Sequence, residues 1–117
     1  MEDAEKPRES YVNMTEGISR VMNNKALYIK MLKKFIADPY LDKLLQAIAQ
    51  GDFKAAELTA HTIKGLAANL SFPELYTVMQ GLEAEIKSGK TDGFDLPKAQ
   101  ACMEKTLRYV NEIIAAG

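Results

Sequence analysis

From Tyr28 to Ile114 the apolar residues of this chain recur at three- and four-residue intervals, and no alternating run is long enough to make a strand. That periodicity commits the chain to helices. From Lys25 onward, Tyr28, Met31, Leu32, Phe35 and Ile36 form one buried stripe, with Lys30, Lys33 and Lys34 on the wet side as a solvated basic face. Asp38 ahead of Pro39 reads as an N-cap with proline at the first helical position. It opens a helix carrying Leu41, Leu44, Leu45 and Ile48, which Gly51 ends. Asp52 caps the next helix, which runs to about Leu70. In SFPE, Ser71 and Glu74 have capping-box spacing and Pro73 lies in the first turn. The helix that follows carries Leu75, Val78, Met79, Leu82 and Ile86 as far as Gly89, and after a polar loop Asp95 caps a last one with Ala99, Met103, Leu107, Val110 and Ile114 inward. Residues 1–10 read as a flexible tail, and Tyr11 to Met22 as a helix of weaker periodicity. Residues 11–117 then make a single all-α domain. Short connections place successive helices antiparallel, so the expected architecture is an up-and-down four-helix bundle with an additional N-terminal helix.

Composition removes several functional classes. A formal net charge of −1 over 117 residues gives no general attraction to nucleic acid. No apolar run approaches membrane-spanning length, and MEDAEKPRES is too acidic and polar for a secretory signal. A cytoplasmic monomer that binds neither membrane nor nucleic acid is expected. The initial methionine and self-contained helices favour a free-standing module. One cysteine, Cys102, and one histidine cannot build an internal disulfide or a structural zinc site, and Cys102 reads as a small core residue. Most of the six methionines fall on the apolar stripes as core filler rather than as a docking groove.

The chemistry concentrates in HTIKG, residues 61–65. At about 100° per residue, Ala56, Ala60, Ile63, Ala67 and Leu70 cluster on one side of the helix and His61 points roughly 140° away from them. The imidazole should therefore face water. Gly65 and Ala68, at i+4 and i+7, share its face, and a glycine inside a helix costs about 1 kcal/mol relative to alanine. Clearance for an approaching protein explains that cost. Lys64, at i+3, can bring an ammonium near an anion attached to the ring, with the weak energy of an exposed pair. Such a convex face offers no converging nucleophile and carboxylate for hydrolysis, and Glu57 at i−4 alone makes a weak metal site. A haem ligand would turn inward between helices, and no phosphate-cradling glycine loop for ATP is present.

At these residues the chain resembles the histidine-containing phosphotransfer (HPt) domain of two-component phosphorelays. The match is carried by AHTIKGLAANL, residues 60–70, with Leu75 and Leu82-Glu83 in the following helix, and more weakly by YIKMLKKF and LQAIAQGDF upstream. The resemblance implies a four-helix bundle whose exposed histidine accepts a phosphoryl group from a receiver-domain aspartate and passes it to another receiver. His61 is then the phosphorylated residue, Lys64 the cation beside the phosphate, and Gly65 and Ala68 the residues that clear space. Glu83 matches the acidic or amide position of the next helix, where it comes near His61; its alternative is an outward glutamate paired with Lys87 at i+4. Leu58 joins Gly65 and Ala68 as a candidate docking rim, with Ile18 or Met22 added if the first helix lies alongside.

The family usually carries glycine where this chain has Ser71, so the turn after the histidine helix is expected to differ in detail, with serine capping the next helix. A neutral imidazole, which in isolation titrates near about pH 6.5, is a competent nucleophile at cytoplasmic pH. The module itself needs no cofactor and no catalytic apparatus, because the partner receiver would bring the aspartate and its Mg2+. The alternative function is a helical adaptor of the same fold that binds a partner without phosphotransfer.

Overall fold

The computed structural model describes residues 6–117, so the first part of the expected tail, residues 1–5, lies outside the described residues. The helices are α1 (Arg8–Tyr11), α2 (Met14–Arg20), α3 (Lys25–Ala37), α4 (Tyr40–Ala49), α5 (Phe53–Leu70), α6 (Pro73–Lys87) and α7 (Leu96–Ala116). The chain is all-helical, as the periodicity requires, and α5 to α7 form three limbs of an up-and-down bundle. The fourth limb is α3 and α4 laid end to end. The Tyr28 hydroxyl near the start of α3 donates to the Leu70 carbonyl at the end of α5, 2.8 Å away, whereas α4 ends where α5 begins. Both segments pack on α5 and α7. At the far end Phe53 and Phe94 bring the start of α5 to the loop before α7, with ring centroids 6.4 Å apart.

The break between α3 and α4 follows from Pro39, which lacks an N–H and drives Asp38 out of helical conformation. Asp38 is extended, with φ −102° and ψ 127°. It does not cap α4 as expected. Its Oδ1 lies 3.0 Å from the Lys43 ammonium instead. Asp52 and Asp95 do cap their helices, accepting from the backbone N–H of Ala55 and Lys98 at 3.1 Å each.

The core contains Tyr28, Leu32, Phe35, Leu44, Leu75, Met79 and Val110, and α5 contributes Ala56, Ala60, Ile63, Ala67 and Leu70, all buried. The alanines on that stripe bring the backbones of neighbouring helices close, and α5 packs most extensively on α6. Cys102 is buried, and burial pushes its thiol up to about 11, which makes it inert packing material.

The N-terminal region departs from the single helix expected over Tyr11–Met22. Val12 is extended, and the backbone N–H of Asn13 donates to the Ser71 carbonyl at 2.8 Å while its side chain caps α2 through Glu16 at 3.1 Å. These bonds split the helix in two. Residues 8–10, expected in the loose tail, form α1 with Tyr11, and Lys6 pairs with Glu74 at 2.8 Å. Beyond, α2 crosses onto α3, where Gly17 lies so close to the Tyr28 ring that a Cβ would overlap it.

Ser71 also differs from expectation. It does not cap α6; it ends α5 in the left-handed conformation, at φ 63° and ψ 58°, and is buried. The geometry that suits glycine is therefore kept by a serine, whose hydroxyl accepts from Arg20 Nε at 3.2 Å. A non-glycine residue here costs about 1–2 kcal/mol, and the hydrogen bond returns about 0.5–1.5 kcal/mol. Ser71→Ala, which keeps the strain and loses the bond, should lower the unfolding free energy by about 1 kcal/mol. Ser71→Gly, which loses both, should stay within about 1 kcal/mol of the native protein, and urea unfolding of the two variants checks this ordering.

Candidate functional site

His61 lies midway along α5 and its side chain is 62% exposed, on the face opposite the buried alanine stripe. Ser71 closes the turn into α6, and the antiparallel return brings Glu83 to the level of His61. The two meet at 2.9 Å between His61 Nδ1 and Glu83 Oε2. Glu83 is not an outward residue: its side chain is 4% exposed, although the pairing with Lys87 expected of an outward glutamate is also present, at 3.3 Å on Oε2. The other oxygen, Oε1, faces the Lys64 ammonium at 2.8 Å. One sunken carboxylate thus gathers an imidazole and two lysines.

The electrostatics fix the roles of the ring nitrogens. The Lys64 ammonium holds the Glu83 carboxyl down at about 2, against the opposing effect of burial and with further help from His61 and Lys87. Glu83 is therefore ionised and can only accept, so Nδ1 of a neutral imidazole must carry the proton. The lone pair is left on Nε2, which has no partner among the described residues. Glu83 in turn raises Lys64 above the ordinary lysine range. Lys64 is 22% exposed and committed to the carboxylate, rather than lying free over the ring.

The surrounding surface is open. A Cβ on Gly65 would meet nothing within 4 Å, so packing inside the chain does not require glycine there. Leu58 is 66% exposed and Ala68 partly exposed. The Arg20 bond to Ser71 anchors the end of α2 beside the last turn of α5, about 15 Å along the helix from His61 at 1.5 Å per residue. On sequence alone Lys87 enters only as a surface partner of Glu83; its i+4 spacing was the signal, but not that it shares the oxygen bound to the imidazole. Gly81 is equally uncrowded, and nothing in the structure explains it.

A helical bundle presenting one water-facing histidine, buttressed from the next helix by a carboxylate, is the arrangement of a histidine phosphotransfer module. The chain matches the family model of the Hpt domain over residues 30–112 and belongs to that family. Membership assigns it, in general terms, a phosphorelay role with receiver domains of two-component systems as partners. The matched segment begins within α3, leaving α1 and α2 outside it. Neither the curated proteins nor the solved structures contain a significant match. No described helix is long and apolar enough to cross a membrane.

Because the carboxyl of Glu83 is depressed in the folded chain, it stabilises the fold fully above its unfolded value, and this contribution is lost as pH falls through the folded one. The window runs from about 4.5 down to about 2. Since two of its three partners are more than half open to water, about 1–2 kcal/mol is the expected contribution. Glu83→Gln should flatten the stability profile across that window, as read by urea unfolding at stepped pH.

Proposed function

We propose that this protein is a cytoplasmic phosphocarrier in which His61 Nε2 accepts a phosphoryl group from a receiver-domain aspartyl phosphate and passes it to a second receiver. The observation that carries this reading is the exposed ring whose Nδ1 proton is held by an ionised, buried Glu83, so that the free lone pair is on the outward nitrogen. In the transfer, Nε2 attacks phosphorus, the N–P bond forms and the P–O bond to the receiver breaks, its electron pair leaving with the aspartate. The Nδ1 proton stays in place. The ring becomes an imidazolium, whose charge Glu83 offsets, so no general base is needed.

Lys64 would be shared between Glu83 and the arriving phosphoryl oxygens, neutralising part of their charge by a short swing of its side chain. Gly65 and Ala68 leave room above the helix for the receiver, and Leu58 supplies an apolar contact at its rim. The metal that the chemistry needs belongs to the receiver, and the carrier contributes no active site of its own.

Incubation with phosphorylated receivers from the source genome should give an acid-labile label that His61→Gln abolishes. An acid-stable label, or one that survives the substitution, would overturn the reading. Gly65→Ala separates function from folding. Alanine raises helix stability by about 1 kcal/mol where space is free, yet its methyl stands in the receiver's path. A higher unfolding midpoint with transfer slowed at least several-fold is expected, measured on the same preparation.

A further inference from the structure

Where Pro39 breaks the limb formed by α3 and α4, two apolar residues stay out of the core. Ile36 and Leu45 lie on the apolar stripes of the two helices, yet Ile36 is 36% exposed and Leu45 only half-buried. Across from them α7 presents Met103 and Leu107, and together these side chains line a cleft of about 310 Å3 between the elbow and α7. Its α7 wall runs from Gln100 to Leu107, about 10 Å at 1.5 Å per residue, which makes it a trough along the helix rather than a sealed pocket.

The rim of this trough is acidic. Asp38, Asp42 and Glu104 line it, and among the described residues no lysine or arginine does. Lys43 at its edge pairs with Asp38 at 3.0 Å and stands over the Tyr40 ring, 5.8 Å from the centroid, so it offsets one of the three charges. Asp42 and Glu104 are exposed and have no ion pair among the described residues. An apolar floor under two uncompensated carboxylates suits a guest with apolar side chains flanked by cations.

We propose that this cleft docks an amphipathic basic segment of a partner protein, with an aliphatic or aromatic side chain of the segment filling the trough and its lysines or arginines meeting Asp42 and Glu104. The proposal goes beyond the phosphocarrier reading and does not depend on it. The volume lies at the lower end of ligand pockets, about 300 Å3, room for one or two large side chains, and an elongated trough suits a peptide segment laid along α7. The chain's own basic face, Lys30, Lys33 and Lys34, adjoins the same elbow, so a second copy docking by it would run head to tail without closing on a two-fold axis.

Position gives the interaction its use. One side of the bundle is formed by α5 and α6, which carry His61 and Glu83, and the cleft opens between the elbow and α7 on the opposite side. A partner held there leaves His61 open to a receiver, so the carrier is tethered while it works.

The probe is a labelled helical peptide with leucines at three- and four-residue spacing and arginines between them, alongside one with glutamate for arginine and one with serine for leucine. Only the first should bind saturably, and in heteronuclear NMR its amide shift changes should fall on residues 36–45 and 100–107 with the His61 ring signal unmoved. Leu45→Ser should weaken binding about tenfold, because it removes apolar surface from the trough without touching the core. Asp42→Asn combined with Glu104→Gln should weaken it several-fold, and added salt should narrow that difference. Both carboxylates are exposed, so this variant keeps the test open if Leu45→Ser folds poorly. Absence of saturable binding by the basic peptide, equal binding of either control, unchanged affinity in the variants or shifts that map elsewhere overturns the proposal. Arginine amide competing as well as the peptide would overturn it in favour of a small cation. Self-association of the protein alone, abolished by Leu45→Ser, would overturn it by giving the cleft to a second copy.

Discussion

The carboxylate of Glu83, sunk between two antiparallel helices, is the group around which the site is organised. A buried charge left unpaired is heavily penalised, and this one is satisfied by the imidazole N–H and two ammonium groups. In the proposed carrier, the same contacts that make its burial tolerable would also prepare the ring. They place the proton on Nδ1, turn Nε2 outward, and hold one lysine where an incoming anion can claim it. One ionisation bears on both the stability of the site and the state of the ring, because an uncharged acid in that position would not compel the ring into a single tautomer.

That arrangement depends on register. His61 and Glu83 stand opposite each other because the turn between α5 and α6 is tight and fixed, with Ser71 in a left-handed conformation. Three contacts from the N-terminal half secure it. Arg20 holds the serine hydroxyl, Asn13 its carbonyl, and Tyr28 the carbonyl of Leu70. Burial pushes the Tyr28 hydroxyl up to about 12, so that it remains a donor throughout the physiological range. Asn13, Arg20 and Tyr28, all outside the part of the chain that matches the family, thus brace the turn that aligns the site.

The bundle was legible in the sequence because amphipathic stripes encode burial directly: the inward residues of α5 were the five that its spacing marked. The outward direction of His61 followed from the same periodicity. Local signals competed less reliably where tertiary bonds intervened. SFPE has the spacing of a capping box, yet Ser71 serves as a helix C-terminus, since the close of the hairpin demands a left-handed residue and Arg20 supplies a compensating bond. Asp38 before Pro39 looks like a cap but answers to Lys43, and Val12 with Asn13 interrupts a helix that the apolar periodicity would continue.

The sequence by itself determined the helices, the core face of α5 and the presentation of a lone histidine beside a lysine and a glycine, because all of these depend on spacings within one segment. The tertiary structure decided the fate of Glu83, Lys64 and Lys87, which lie on two helices. Whether a glutamate at such a position points to water or sinks against the neighbouring helix depends on the register of the hairpin and the depth of the groove. Neither is encoded in the period of a single helix. Only the packed pair turns an exposed imidazole into one with an assigned proton and a free nitrogen.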